Sequence, residues 1–175
     1  MIVAIAELLA VVSPPSNPIN AENGNHWTLA EQWIGFGLPD DFRDFATHYG
    51  SGKFCGSYLG ILNPLSTDNF QDAVTFFAEA LRNVKGSREY PYDVYPDRPG
   101  LLPWGSDENG NYLHWLTEGE ANAWPIIVES HESELERFDV SMTTFLAKAL
   151  TNEIRPKHIW RRPFTQDERV FTPST

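Results

Sequence analysis

In the stretch "GLLPWGSDENGNYLHW", residues 100–115, oxygen-bearing side chains crowd between two apolar runs. Asp107, Asn109, Asn111 and Glu118 fall on positions 1, 3, 5 and 12 of a calcium-binding loop. Such a loop needs glycine at position 6 to curl around its ion, and that position is Tyr112. Residues 112–116 alternate as an extended strand does, and Asn109-Gly110 is the strongest short signal for a tight turn between strands. The stretch therefore reads as a hairpin joining a strand through Trp104 to one through Trp115, with no metal expected.

Other chemical constellations are weaker. The histidines His26, His48, His114, His131 and His158 share no ligand spacing such as H-x-x-x-H. Cys55 is the single cysteine, which excludes an intramolecular disulfide and a cysteine zinc cage. No flanking residue lowers its pKa, so it reads as a small core residue rather than a nucleophile. There is no G-x-S-x-G elbow, P-loop or G-x-G-x-x-G, and Gly50-Ser51-Gly52 follows a helix without opening another. Asp40, Asp41 and Asp44 read as dipole and solvent charges in the first turns of a helix. Trp104, Trp115 and Trp124 read mainly as core, with one or two free to line a surface groove. Neither enzymatic activity nor a cofactor is expected.

The elements that hold these residues follow from local pattern. Ile2, Ile5, Leu8, Leu9 and Val12 lie at helical spacing, and "SPPSNPINAENGN" then breaks regular structure. Thr28-Leu-Ala-Glu31 has the form of a capping box for a second helix carrying Trp33 and Ile34. In "LPDDFRDFATHYG", Pro39 and two aspartates open a helix, Gly50 ends it, and Phe42, Phe45, Ala46 and Tyr49 form one apolar stripe. Residues 53–62 read as strand, and Phe70, Val74, Phe77, Leu81 and Val84 place a helix over 68–84. Residues 86–100, with three prolines, read as an ordered loop. Strands are expected at 101–104, 112–116 and 124–129, with another near Phe138. Ser141 caps a last helix carrying Met142, Phe145, Leu146, Ala149 and Leu150. The tail after Arg155 shows no period. This order predicts an α+β domain with a mostly antiparallel sheet flanked by helices. The domain spans 27–151, after an N-terminal helix and Pro-rich linker (1–26) and before a C-terminal tail (152–175).

The formal net charge is −11 and is unevenly placed. Residues 89–139 hold twelve acidic residues against Arg98 and Arg137 alone, whereas the sign reverses beyond Thr151. Such a surface repels nucleic acid and anionic lipid and favours a basic partner, although plain solubility would also account for it. The apolar run Ile2–Val12 carries Glu7, is too short to span a bilayer and is poorly built as a signal peptide, so a cytoplasmic setting is expected.

Two ordered blocks resemble a known family. One is "LP-x-D-F-x-x-F…YG-x-G", on Leu38, Pro39, Asp41, Phe42, Phe45, Tyr49, Gly50 and Gly52, followed by Leu62-Asn63-Pro64. The other is "YP…PG-L-LPWG-x-D-x-NG", from Tyr95 and Pro96 through Trp104 to Asn109 and Gly110, then Leu113, Trp115, "WP-x-x-V" at Trp124, and Phe145-Leu146. The series resembles the SUKH superfamily, related to fungal cell-wall-assembly regulators. The resemblance implies an α+β fold and a non-enzymatic role. Many bacterial members are immunity proteins that neutralise a cognate toxin, often a nuclease, while fungal relatives act as scaffolds or regulators. The chain departs from the pattern at Asn111, where aspartate often follows Asn-Gly, which weakens any carboxylate site at the turn. The reading is an immunity-type protein that binds a basic toxin. Its candidate contact residues are Tyr95, Asp107, Glu108, Glu118, Glu120, Trp124, Glu132 and Glu134. A regulatory scaffold and a small-ligand-binding domain with a Trp-lined cleft are the alternatives.

Overall fold

The computed structural model describes residues 3–21, 26–87, 89–159 and 162–175, and the side chains of all these but 3, 4, 67–69 and 87. The expected positions of Ile2 in the first helix and of residues 22–25 in the Pro-rich break lie outside the described residues. Helices form at α1 (Val3–Val11), α2 (His26–Ile34), α3 (Asp40–Tyr49), α4 (Thr67–Ser87) and α5 (Met142–Leu150). Strands form at β1 (Gly52–Phe54), β2 (Leu59–Ile61), β3 (Asp93–Val94), β4 (Gly100–Asp107), β5 (Tyr112–Leu116), β6 (Ile126–Glu129), β7 (Leu135–Phe138) and β8 (Phe171–Pro173). The α+β class and flanked antiparallel sheet are as expected. No helix among the described residues is long and apolar enough to cross a membrane.

The strands join in one sheet of order β7-β6-β5-β4-β2-β1-β8, antiparallel at each step, with short β3 parallel to the start of β4. Pro103, which has no N–H to give, sits where a bulge interrupts the β4–β5 ladder. Because side chains alternate along a strand, the two faces carry different cores. Leu102, Trp104, Leu113, Trp115, Ile126 and Val128 point to one face, into the main core with α1, α3 and α5. Leu101, Leu116 and Ile127 point to the other, where Ala78 and Leu81 of α4 cover them.

The α3 stripe is fully buried against this main face. Its C-terminal Gly50 has φ +68°, and a Cβ there would lie 2.1 Å from the Ile19 carbonyl oxygen, so the position excludes other residues on two grounds. At the other end, Asp41 does more than complement the helix dipole. Its carboxylate accepts hydrogen bonds from the Thr143 backbone N–H at 2.9 Å and the Thr143 hydroxyl at 3.1 Å. Ser141 Oγ accepts from the Thr144 N–H, as its capping position predicts. Two of the orphan donors at the start of α5 are thus satisfied, one of them from another helix. Asp41→Ala should therefore cost about 0.5–2 kcal/mol, as loss of a cap does, and Asp41→Asn clearly less. Urea melts of the two variants check this; equal losses would mean that the bonds to Thr143 contribute nothing.

Three local expectations are corrected. Residues 53–62 form a hairpin rather than one strand, because Cys55 and Gly56 take positive φ (+55° and +77°) and reverse the chain. Thr28 does not cap α2, which already runs from His26; Glu31 instead accepts from the Leu38 N–H at 2.8 Å and pairs with the Arg43 guanidinium. The aperiodic tail contains β8, whose three residues pair with β1 and place Phe171 in the main core. The flanking segments share that core, through Leu8 and Val12 of the N-terminal part and Ile159 beyond α5.

Candidate partner-binding surfaces

The register of β4–β7 divides the eight candidate contact residues between opposite ends of the sheet. Tyr112 pairs with Glu129 at one end of β5, and Trp115 pairs with Ile126 toward the other. At about 3.3 Å per residue, the five residues of β5 hold the two ends about 17 Å apart. Asp107, Glu108, Glu132 and Glu134 lie at the turn end; Tyr95, Glu118, Glu120 and Trp124 lie at the other.

The turn end is built around Asp107 and Asn111. One Asp107 carboxylate oxygen accepts from the backbone N–H groups of Asn109 (2.8 Å) and Asn111 (2.9 Å), and the other accepts from Asn111 Nδ2 (2.7 Å). Gly110 supplies the positive φ, +79°, that the reversal needs. Asn111 also donates to the His158 carbonyl and accepts from the His131 N–H, tying three segments together. This accounts for the departure at Asn111: an aspartate there would set a second carboxylate against Asp107, with no amide to donate. Asp107 is only 7% exposed and its oxygens are occupied by these bonds. Glu108 and Glu132 are exposed, and Glu134 is paired with His158 at 2.8 Å.

The opposite end gathers aromatic rings. Phe36 packs edge-on against Trp124 at 5.5 Å and Tyr95 at 6.1 Å, while Trp33 lies 6.1 Å from Tyr95. The Arg98 guanidinium sits over Phe36 at 4.5 Å and over Trp124 at 5.5 Å, a cation–π geometry. Trp124 is 3% exposed and forms the floor, with its indole N–H donating to the Gly119 carbonyl. Trp33, Phe36 and Tyr95 are half-buried and Arg98 is exposed. Burial raises the Tyr95 pKa, and its hydroxyl donates to the Ile34 carbonyl, so the ring is held in place. Around this centre stand Asp97 and Glu120, both exposed, and Glu118, paired at 2.6 Å with Arg137. Hydrogen bonds to Glu118 and Asp139 raise the Arg137 pKa further, so the guanidinium stays charged.

No sequence pattern marks Trp33, Phe36 or Arg98 as a surface. Nor does any sequence pattern assign a partner to His114. On the α4 face, His114 Nε2 and Glu129 Oε2 are 2.9 Å apart, with side chains 0% and 3% exposed. They sit diagonally on neighbouring strands, so only the β5–β6 register reveals the pair. His114 Nδ1 has no hydrogen-bond partner among the described residues. Cys55 packs against the main core, and burial pushes its thiol up to about 12, with nearby Glu168 adding to the shift. A thiol so raised stays protonated and is a poor nucleophile. Among the described residues, no group of three His, Cys, Asp or Glu side chains is placed to hold a metal ion.

A family profile described as SMI1-KNR4 cell-wall (SUKH_6) matches residues 25–146, more than two thirds of the chain. The chain belongs to this SUKH family. No curated protein and no solved structure matches it. The SUKH match takes in α2 through the first half of α5 and both ends of the β4–β7 sheet. Helix α1 and strand β8 lie outside it and complete the same SUKH core. Of the family-like residues, Leu38, Phe42, Phe45, Tyr49, Trp104 and Trp115 are buried, so their common task is packing.

Proposed function

We propose that this SUKH protein is a non-enzymatic, immunity-type binding protein that neutralises a basic, nuclease-like bacterial toxin through the aromatic end of its sheet. The observation that carries this reading is the half-open cluster of Trp33, Phe36 and Tyr95 with Arg98, rimmed by Asp97, Glu118 and Glu120. Tyr, Trp and Arg are the residues that anchor protein interfaces, and a fixed aromatic centre loses little entropy on binding. Carboxylates around it steer a basic partner and select against acidic ones. SUKH membership supports binding rather than catalysis, since the family is generally of immunity or regulator type.

The two ends are tested separately. Glu118→Lys with Glu120→Lys reverses charge at the aromatic end; Glu132→Lys with Glu134→Lys does so at the turn end. Both pairs should fold, because exposed substitutions stay within about 0.5 kcal/mol each and an exposed ion pair contributes about 1 kcal/mol at most. The partner is first identified by pull-down from the native host, and association rates are then measured at low and high salt. The aromatic-end reversal should slow association about tenfold or more at low salt and flatten its salt dependence. The turn-end reversal should change it much less. A larger effect at the turn end moves the interface there, and a captured partner without toxin activity favours the regulatory scaffold.

A further inference from the structure

A third surface belongs to neither end. Helix α4 packs chiefly on β3 and β4, and beside it a cleft of about 240 Å³ stays open over β1 and β2. Lys53, Gly60 and Ser106 floor it, and Leu62, Ser66 and Phe70 wall it. Lys53 alternates with buried Gly52 and Phe54, so its ammonium group is turned away from the main core. Gly60 does the same between Leu59 and Ile61, and a Cβ added there meets nothing nearer than 3.8 Å. Ser174 and Thr175 close the remaining edge; no aspartate or glutamate side chain lines this cleft in a chain of net charge −11, and Lys53 has no carboxylate within ion-pair distance among the described residues.

The second observation is Ser51, which lines the same cleft and is only 6% exposed. Its hydroxyl oxygen accepts from Asn20 Nδ2 and Asn63 Nδ2, each at 3.1 Å. A hydroxyl has two lone pairs and one proton, so this oxygen is saturated as an acceptor and can act further only as a donor. No acceptor for that proton is found among the described residues. Asn63 is itself buried and fully engaged, donating also to the Asn20 carbonyl and accepting from the Leu65 N–H. It is a positioning residue that fixes Ser51 as a donor. Buried donors left unmade are uncommon, and one beside the Lys53 ammonium group, in a lining with no acidic side chain, calls for an acceptor with negative charge.

We propose that this cleft binds a small organic anion, its oxyanion group held by Lys53 and Ser51 and its short body lying against Leu62 and Phe70. The volume is below that of drug-sized sites, which limits the ligand to a few heavy atoms beyond the anionic head. The oxyanion is a carboxylate or a phosphate, and the two are separated by experiment. The full chain, labelled with nitrogen-15, is titrated with sodium butyrate, inorganic phosphate or sodium chloride at constant ionic strength. Saturable amide shifts centred on Ser51, Lys53, Gly60 and Ser106 are expected with butyrate or phosphate and not with chloride; whichever saturates names the head group. Lys53→Gln should weaken binding about tenfold by removing the charge-assisted bond, and Gly60→Val should abolish it by filling the cleft. Lys53 is exposed, and a Cβ at Gly60 makes only ordinary contacts, 3.8 Å from Ser106 O and 4.0 Å from Lys53 Cγ, so the fold survives either change even if Ser51→Ala disturbs the Asn20–Asn63 network. Shifts that fail to saturate, match those from chloride, or persist in both variants overturn the proposal.

Discussion

Phe42→Ala is expected to lower stability by about 3–5 kcal/mol, the range for deleting a large aromatic from a packed core. The Phe42 ring has no exposed surface. It meets Trp115 edge-on at 4.9 Å, meets Trp27 edge-on at 5.9 Å and stacks on Phe45 at 6.3 Å. Two of these neighbours lie on helices and one on β5, so collapse around the cavity would require three elements to move together. The loss is read as a fall in the urea midpoint at unchanged slope. Trp104→Ala belongs to the same class, since Trp104 is fully buried between Trp115 and Phe145. A folded Phe42→Ala chain of wild-type midpoint would show that this stripe does not face the core.

Glu129→Ala should cost a similar amount, about 3–5 kcal/mol, for a different reason. Truncation leaves a cavity at a site 2% exposed, which contributes part of this. The larger loss is that His114, 0% exposed, would keep Nδ1 without a partner and lose the acceptor at Nε2 as well. Removing one member of a buried pair leaves the other desolvated and unmatched, whereas replacing both by apolar groups of similar shape is often neutral. Glu129→Gln keeps an oxygen within reach of Nε2 and should lose only about 1 kcal/mol. His114→Leu with Glu129→Leu should therefore be more stable than Glu129→Ala alone. Unfolding curves for the three variants and the parent decide the matter. If the double variant is the least stable of the set, the pair is a source of stability in its own right and the penalty argument fails.

Much of the fold is legible along the chain because its signals are local. The stripe Phe42, Phe45, Ala46, Tyr49 needs only the 3.6-residue period, the turn at Asn109-Gly110 needs only a residue pair that tolerates positive φ, and Ser141 caps α5 within a single turn. These features fix their elements whatever the rest of the chain does. The hairpin at Cys55–Gly56 escaped this logic because cysteine rarely takes positive φ and no turn pair announces it. Strand β8 escaped because three residues are too few to show a period, and its stability comes from β1, more than a hundred residues away. The acidic composition of residues 89–139 is a fact of sequence, but only the β4–β7 register divides those carboxylates between two ends. The same register brings His114 to Glu129, and the packing of residues 19–20 against the end of α3 brings Asn20 to Ser51 and Asn63. A pattern with a period of two or four residues is set by backbone geometry and travels with the sequence. A contact between distant segments exists only once the sheet has chosen its order, so these pairings were the tertiary structure's to decide.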